Sequence, residues 1–391
     1  MTLKYNIDSD YIIRIRREIH EYPELGWNLP KTSAVVKREL EAMGIAWSEE
    51  CGECSVTGVI NPEKKGFTIG IRADMDALPV DELNDLEYKS KIPGKMHACG
   101  HDAHTAMLLG AAKALNEIRD QLNCRVKLIF QPCEEGPGSG GELMVQRGVM
   151  DDVDVVIALH VDNFLEAGNI GICSGNAMAS ARRFTVDFYG KTTHGTLPQN
   201  GVNALAMAVR AYTGINQMLV TEIDPFAEKI CTIGSFHSGF AANVLPDHAV
   251  FDGTIRTYDK ELDQYIFSRI CTIAQNAAEE VGGTCKVTSP RFTMHLYNDP
   301  GVSEELMKSA SKVVGDDRVA SFGKKMSSED FSFYTAKKPG ALFRLGTRNE
   351  EKGCVTPAHT NTFMIDEEAL KTGSAVFVQF VIDHMNGYPP R

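Results

Sequence analysis

The chain has 391 residues, 43% of them hydrophobic and 24% charged, the composition of an ordinary globular protein long enough for two domains. Forty Lys and Arg against 52 Asp and Glu leave a net charge of −12, which disfavours a nucleic-acid backbone or an anionic membrane surface as the main partner. The N-terminal residues turn acidic before any apolar run long enough for a signal peptide, and no stretch approaches the ~20 apolar residues of a membrane span, so the expectation is a cytoplasmic enzyme with a small-molecule substrate.

Ile12, Ile15 and Ile19 recur at helical spacing and Pro23 closes the segment, predicting a helix over 9–21. A second helix is expected from Lys31 to Met43, stopped by Gly44. Strand and helix then alternate: a buried strand over 67–71, a helix from Thr105 to Ile118, strands over 125–130 and 153–159, and a helix over 141–147 between them. This half reads as an α/β sheet whose polar residues at strand ends mark a site. From 180 to 292 the order becomes strand 183–189, helix 203–219, strands 229–236 and 248–257, helix 260–281 and strand 284–288. That β-α-β-β-α-β succession predicts a ferredoxin-like α+β domain inserted in the larger one. Beyond Asn298 the α/β pattern resumes with a helix over 302–314, a strand over 340–345 and a last helix over 367–384. The expected partition is therefore a catalytic domain of 1–179 and 293–391 around an insertion of 180–292.

Ten cysteines at irregular positions do not form a disulfide framework, and Cys51-Gly52-Glu53-Cys54 alone is a weak redox motif. Three His, a Cys and an Asp fall within His97-Ala98-Cys99-Gly100-His101-Asp102-Ala103-His104, a density suited to a zinc-like divalent metal. If the segment is extended, alternate residues share a side, and Cys99 and His101 reach one centre. Gln131-Pro132-Cys133-Glu134-Glu135-Gly136 ends a strand with two carboxylates. Adjacent carboxylates in an extended chain diverge, so Glu135 can serve a metal and Glu134 a water beside it as general base. His160, after a run of aliphatics, and His359, in a loop before the last helix, are further candidates. There is no His-Glu-x-x-His, Gly-x-Ser-x-Gly or Walker loop, which leaves scattered metal ligands as the economical reading.

Motifs spread over nearly the whole chain carry a family resemblance: Arg16-Arg17-Glu18-Ile19-His20-Glu21-Tyr22-Pro23-Glu24-Leu25-Gly26, Ile71-Arg72-Ala73-Asp74-Met75-Asp76-Ala77-Leu78-Pro79, Met96 to Thr105, Gln131 to Glu135 and Asn243-Val244-Leu245-Pro246. The sequence resembles the co-catalytic metallo-amidohydrolases that include hippurate hydrolase, aminoacylases and the plant indole-acetyl-amino-acid hydrolases. The resemblance implies a catalytic α/β domain with a central mixed sheet, two divalent metal ions per subunit (Zn or Mn, with Co or Ni as alternatives), and an inserted lid that also makes a homodimer or higher homo-oligomer. By motif position it implies that Cys99, His101, Glu135, His160 and His359 bind metal with Cys99 as the bridge, that Glu134 is the general base, and that Asp76 orients a ligand from behind. Asp74 stands where more distant carboxypeptidase-type relatives have a metal-binding His. From the inserted domain the resemblance implies His194 as an oxyanion donor and Asn243 and Arg256 as substrate contacts, Arg256 offering a planar fork to a carboxylate. Gln199 replaces a His usual after His194, and with Asn361 it bears on substrate choice.

The expected reaction is hydrolysis of an N-acyl-amino acid to a carboxylic acid and a free amino acid. A dipeptidase or an N-acetyl-diaminopimelate-type deacetylase would use the same centre, and an inactive metal-binding scaffold is the alternative outside enzymes, disfavoured by the intact Glu134-Glu135 pair.

Overall fold

Thr68–Asp74 is buried at every position, which requires a strand covered on both faces. The computed structural model, which describes residues 3–387, sets it within an eight-stranded mixed sheet. The order is Trp47–Ser48, Val56–Ile60, Arg125–Gln131, Thr68–Asp74, Val155–Glu166, Gly340–Arg348, Ile170–Ile172 and Val319–Ser321. The strands from Arg125–Gln131 to Gly340–Arg348 run parallel, and their outer neighbours Val56–Ile60 and Ile170–Ile172 pair antiparallel. The helix His101–Glu117 lies on Thr68–Asp74 and packs against the helices Ser9–His20 and Leu370–His384. Ser9–His20 starts where the Asp8 side chain caps the Tyr11 N–H, and it buries Ile12, Ile15 and Ile19.

Two elements differ from expectation at the site. The helix expected from Thr105 begins at His101, because Gly100 turns the chain in the left-handed region (φ +86°) and its carbonyl accepts from Ala103 N–H (2.9 Å) and His104 N–H (3.1 Å). Cys99 and His101 are thus not alternate residues of an extended segment. The strand expected to end at His160 continues to Glu166, so His160 lies within it, paired in register with Arg344. A β-carbon added to Gly100 would lie 2.5 Å from Val161 Cγ2. Gly100→Ala should therefore cost about 1–3 kcal/mol, read as a lower urea midpoint. An unchanged midpoint would show that the turn relaxes without loss.

The chain divides into two compact units, one of Met1–Ala177, Tyr297–Lys324 and Asp330–Arg391, the other of Met178–Leu296 and Lys325–Glu329. Each has its own apolar core, Ile69, Ile71, Leu108 and Phe377 being in the first and Phe184, Phe188, Phe251 and Ile270 in the second. In the second unit an antiparallel four-stranded sheet has the order Lys229–Ser238, His248–Thr257, Ala181–Tyr189, Thr284–Thr293, with helices Ala204–Thr221 and Lys260–Glu279 packed on it. Residues 325–329, assigned from sequence to the catalytic part, join the second unit. The Ala179 N–H donates to the carbonyls of Lys325 (3.1 Å) and Ser327 (3.0 Å) there. All ten cysteines are free, those of the Cys51/Cys54 pair buried. Among the described residues no helix is long and apolar enough to cross a membrane.

Candidate metal centre and active site

At the carboxyl ends of the parallel strands of the first unit, Cys99 Sγ lies 3.4 Å from His160 Nε2 and 3.3 Å from His359 Nε2. His359 Nε2 is also 2.9 Å from Glu135 Oε1. Donor atoms of Cys99, His101 and His160 all lie within 4.8 Å of one another, as do those of Cys99, Glu135 and His359, and those of His101, Glu134 and Glu135. His359 reaches this point from a loop tied to the cysteine turn: its N–H donates to the Ala98 carbonyl (2.7 Å), and its backbone takes a left-handed φ of +67°. Cys133, ahead of the carboxylate pair, has φ +55°. Non-glycine residues held in this region store strain that the surrounding structure must enforce.

Hydrogen bonds fix the imidazoles. His160 Nδ1 lies 2.7 Å from the Val161 carbonyl and so carries the proton, leaving the Nε2 lone pair toward Cys99. His104 is different. Its Nε2 accepts the Val161 N–H (3.0 Å), so its Nδ1 donates to Asp74 Oδ1 (2.6 Å), and both nitrogens are used in tying helix to sheet. The sequence analysis assigns His104 no role, and this hydrogen bonding gives it one. Asp76, expected to orient a ligand, accepts the backbone N–H of Glu134 (2.9 Å) and of Glu135 (3.0 Å) and lies 3.5 Å from His101 Nδ1. One carboxylate thereby fixes the main chain of both glutamates.

The charges are mutually dependent. Burial, reinforced by Glu135, pushes the Cys99 thiol well up. Burial and the Arg344 charge hold His160 neutral, with its pKa well below the usual imidazole range. Burial opposes ionisation of Asp74 and of Glu135, but His101 and Arg72 outweigh it at Asp74, and His359 and His101 do so at Glu135, so both carboxyls are held low. His101 is held well up, Asp74 and Cys99 overcoming its burial. Its two ring nitrogens are buried and have no hydrogen-bond partner among the described residues. Orphaned imidazole nitrogens beside a thiol and carboxylates form a donor set that fits a zinc-like divalent ion, whose charge would replace the proton on His101 and favour the thiolate.

Behind this set lies a polar network the sequence reading missed. Arg72, fully buried, donates from Nε to Gln131 Oε1 (2.9 Å), from Nη1 to Asp74 (2.7 Å) and from Nη2 to Asp330 (2.7 Å). On the other side Asp102 accepts from Arg16 Nε (2.9 Å) and pairs with His20 Nδ1 (2.7 Å). A charged residue inside an aliphatic run, as in Ile71-Arg72-Ala73, was the available signal.

His194, Asn243 and Arg256 belong to the second unit. Thr193–His194 and Val244–Leu245 form a two-stranded ribbon with His194 opposite Val244, and Gly195 N–H donates to the Asn243 carbonyl (2.8 Å), so His194 and Asn243 are neighbours. Arg256 is half-buried on the sheet face opposite the helices and donates to the Met326 carbonyl (3.2 Å). Burial and the nearby Arg291 depress its pKa.

A buried thiol, imidazoles and paired carboxylates at the ends of parallel strands define a hydrolase of the metallopeptidase and amidohydrolase type. The profile described as peptidase family M20/M25/M40 matches residues 70–383, and the chain belongs to that family. It is 38% identical over 387 residues to thermostable carboxypeptidase 1 of Saccharolobus solfataricus, covering 97% of this chain and 96% of the relative. It is 34% identical to the IAA-amino acid hydrolase ILR1-like 4 of Arabidopsis thaliana, covering 95% and 85%. Among solved structures, the Bacillus subtilis YXEP protein, a dinuclear metal-binding peptidase of the M20 family, superposes with a TM-score of 0.83 at 29% identity, covering 97% and 98%.

Proposed function

We propose that the protein cleaves the amide bond of N-acyl-amino acids, releasing a carboxylic acid and a free amino acid. The observation that carries this reading is the pairing of Glu134 and Glu135 on main chain held by Asp76, both carboxylates within reach of His101. Cys99, His101, Glu135, His160 and His359 would hold two divalent ions, with Cys99, between the two imidazoles, as the shared ligand. Bound there, the ions would acidify a water and polarise the amide carbonyl. Glu134 takes the proton of the attacking water and returns it to the leaving amine. His194 and Asn243 donate hydrogen bonds to substrate oxygens, His194 to the oxygen that becomes negative in the tetrahedral state. Arg256 pairs with the substrate's α-carboxylate, a role supported by the fact that its hydrogen bond goes to a carbonyl rather than an acid. The second unit, with its β-α-β-β-α-β order, is read as a ferredoxin-like lid and dimerisation domain.

The IAA-amino acid hydrolase among the relatives supports an N-acyl-amino acid substrate, and the carboxypeptidase supports the same cut made beside the terminal carboxylate of a peptide. Chelation should abolish activity, and Zn²⁺ or Mn²⁺ should restore it. The reloaded protein should then cleave acetyl-, benzoyl- or indole-acetyl-amino acids far faster than the matching α-amides, which lack the carboxylate. Dipeptides outrunning every N-acyl-amino acid would transfer the assignment to a dipeptidase. Equal rates on acids and amides would remove carboxylate recognition.

A further inference from the structure

Asp330 is fully buried and receives hydrogen bonds from both ends of the segment that carries Glu134 and Glu135. At the start of that segment Gln131 Nε2 donates to both carboxylate oxygens (2.8 and 2.9 Å). At its end Ser139 Oγ (2.7 Å) and Gly141 N–H (3.0 Å) donate to Oδ2. Arg72 Nη2 completes the set on Oδ1 (2.7 Å). These donors occupy the roughly four lone-pair positions of a carboxylate, so Asp330 serves as a clamp on this segment. The backbone is shaped to it. A β-carbon on Gly141 would lie 2.7 Å from the Asp330 carbonyl oxygen, and one on Gly140 would overlap the Pro132 carbonyl. Gly140 N–H closes the loop on the Cys133 carbonyl (2.9 Å).

We infer that Asp330 is a positioning residue for the hydrolytic step: by fastening Gln131 to Ser139 and Gly141 it holds the 132–138 loop so that Glu134 stands at a fixed place relative to Glu135 and His101. Asp76 grips the middle of the loop and Asp330 its two stems. The inference rests on the general-base reading of Glu134. Asparagine at this position keeps the shape but offers one acceptor oxygen where five hydrogen bonds converge, and its amide would face donors with donors.

The test is a double-mutant cycle on the metal-loaded protein. Asp330→Asn should lower kcat by about 10²-fold, the cost of an ångström-scale misplacement, with KM within about threefold and full metal stoichiometry by elemental analysis. Added to Glu134→Gln it should produce less than about a twofold further loss, because both act through one group. Ser139→Ala, which removes one donor to Asp330 together with the cap that Ser139 Oγ gives the Glu142 N–H, should show the same coupling with about a tenfold loss of kcat, and it stands in if Asp330→Asn does not fold. Multiplicative losses, loss of metal, or an unchanged kcat would overturn the positioning role while leaving Glu134 as the base. Near-normal kcat in Glu134→Gln itself would remove the base reading and this inference with it.

Discussion

Glu134→Gln will leave a folded, metal-loaded protein whose kcat is lower by about 10²–10⁴, the usual contribution of a positioned general base. The substitution is isosteric, and the contacts that fix this loop to Asp76 run through the backbone N–H groups of Glu134 and Glu135, which Gln retains. The donor atoms of Glu135 and His359 with Cys99 form a group that does not include Glu134, so metal content should survive. Elemental analysis beside steady-state kinetics separates the two effects. If kcat stays within a few-fold of wild type the proton passes through another group, and if metal is lost Glu134 is a ligand.

Arg72→Met should be the most destabilising single change in the first unit, by about 3–5 kcal/mol, the range for removing one partner of a buried ion pair. The guanidinium lies between Asp74 and Asp330 with side-chain exposure of 1% for Arg72 and 0% for each acid, so its removal strips buried Asp330 of the guanidinium and leaves buried Asp74 to His101. Methionine fills the volume and isolates the charge effect. Lysine should not rescue, because its single ammonium cannot make the three divergent contacts to Gln131, Asp74 and Asp330. The urea midpoint measures this, and a loss under about 1 kcal/mol would mean that the acids are compensated some other way.

Much of the architecture could be read from periodicity, because the helices Ser9–His20 and Lys260–Glu279 and the strand His248–Thr257 bury alternate or helically spaced apolar side chains. The start of His101–Glu117 could not, because its first turn is buried through polar pairings, Asp102 with Arg16 and His104 with Asp74, and polar residues in an apolar role hide the helical pattern. Cys99 and His101 come together through the turn at Gly100 and not through alternation along an extended chain. Arg72, Gln131 and Asp330 went unread for a related reason: each is polar, yet each is buried where only partners distant in the chain satisfy it. The short strands Ile170–Ile172 and Val319–Ser321 are three residues each, below the length at which alternation registers.

The parallel pairing of Val155–Glu166 with Gly340–Arg348 joins strands whose partners lie far apart in the chain, as His160 and Arg344 do. During synthesis the nascent first unit must wait with the edge of Val155–Glu166 open while the whole of 178–296 leaves the ribosome, about six to twenty-four seconds at usual elongation rates. The second unit, contiguous but for five residues, can meanwhile condense around its own core. An unpaired apolar strand exposed for that time is a template for association with other nascent chains. The donor cluster shares this schedule: four of the candidate ligands emerge early and His359 arrives last, so the centre can close only after the final strand has docked.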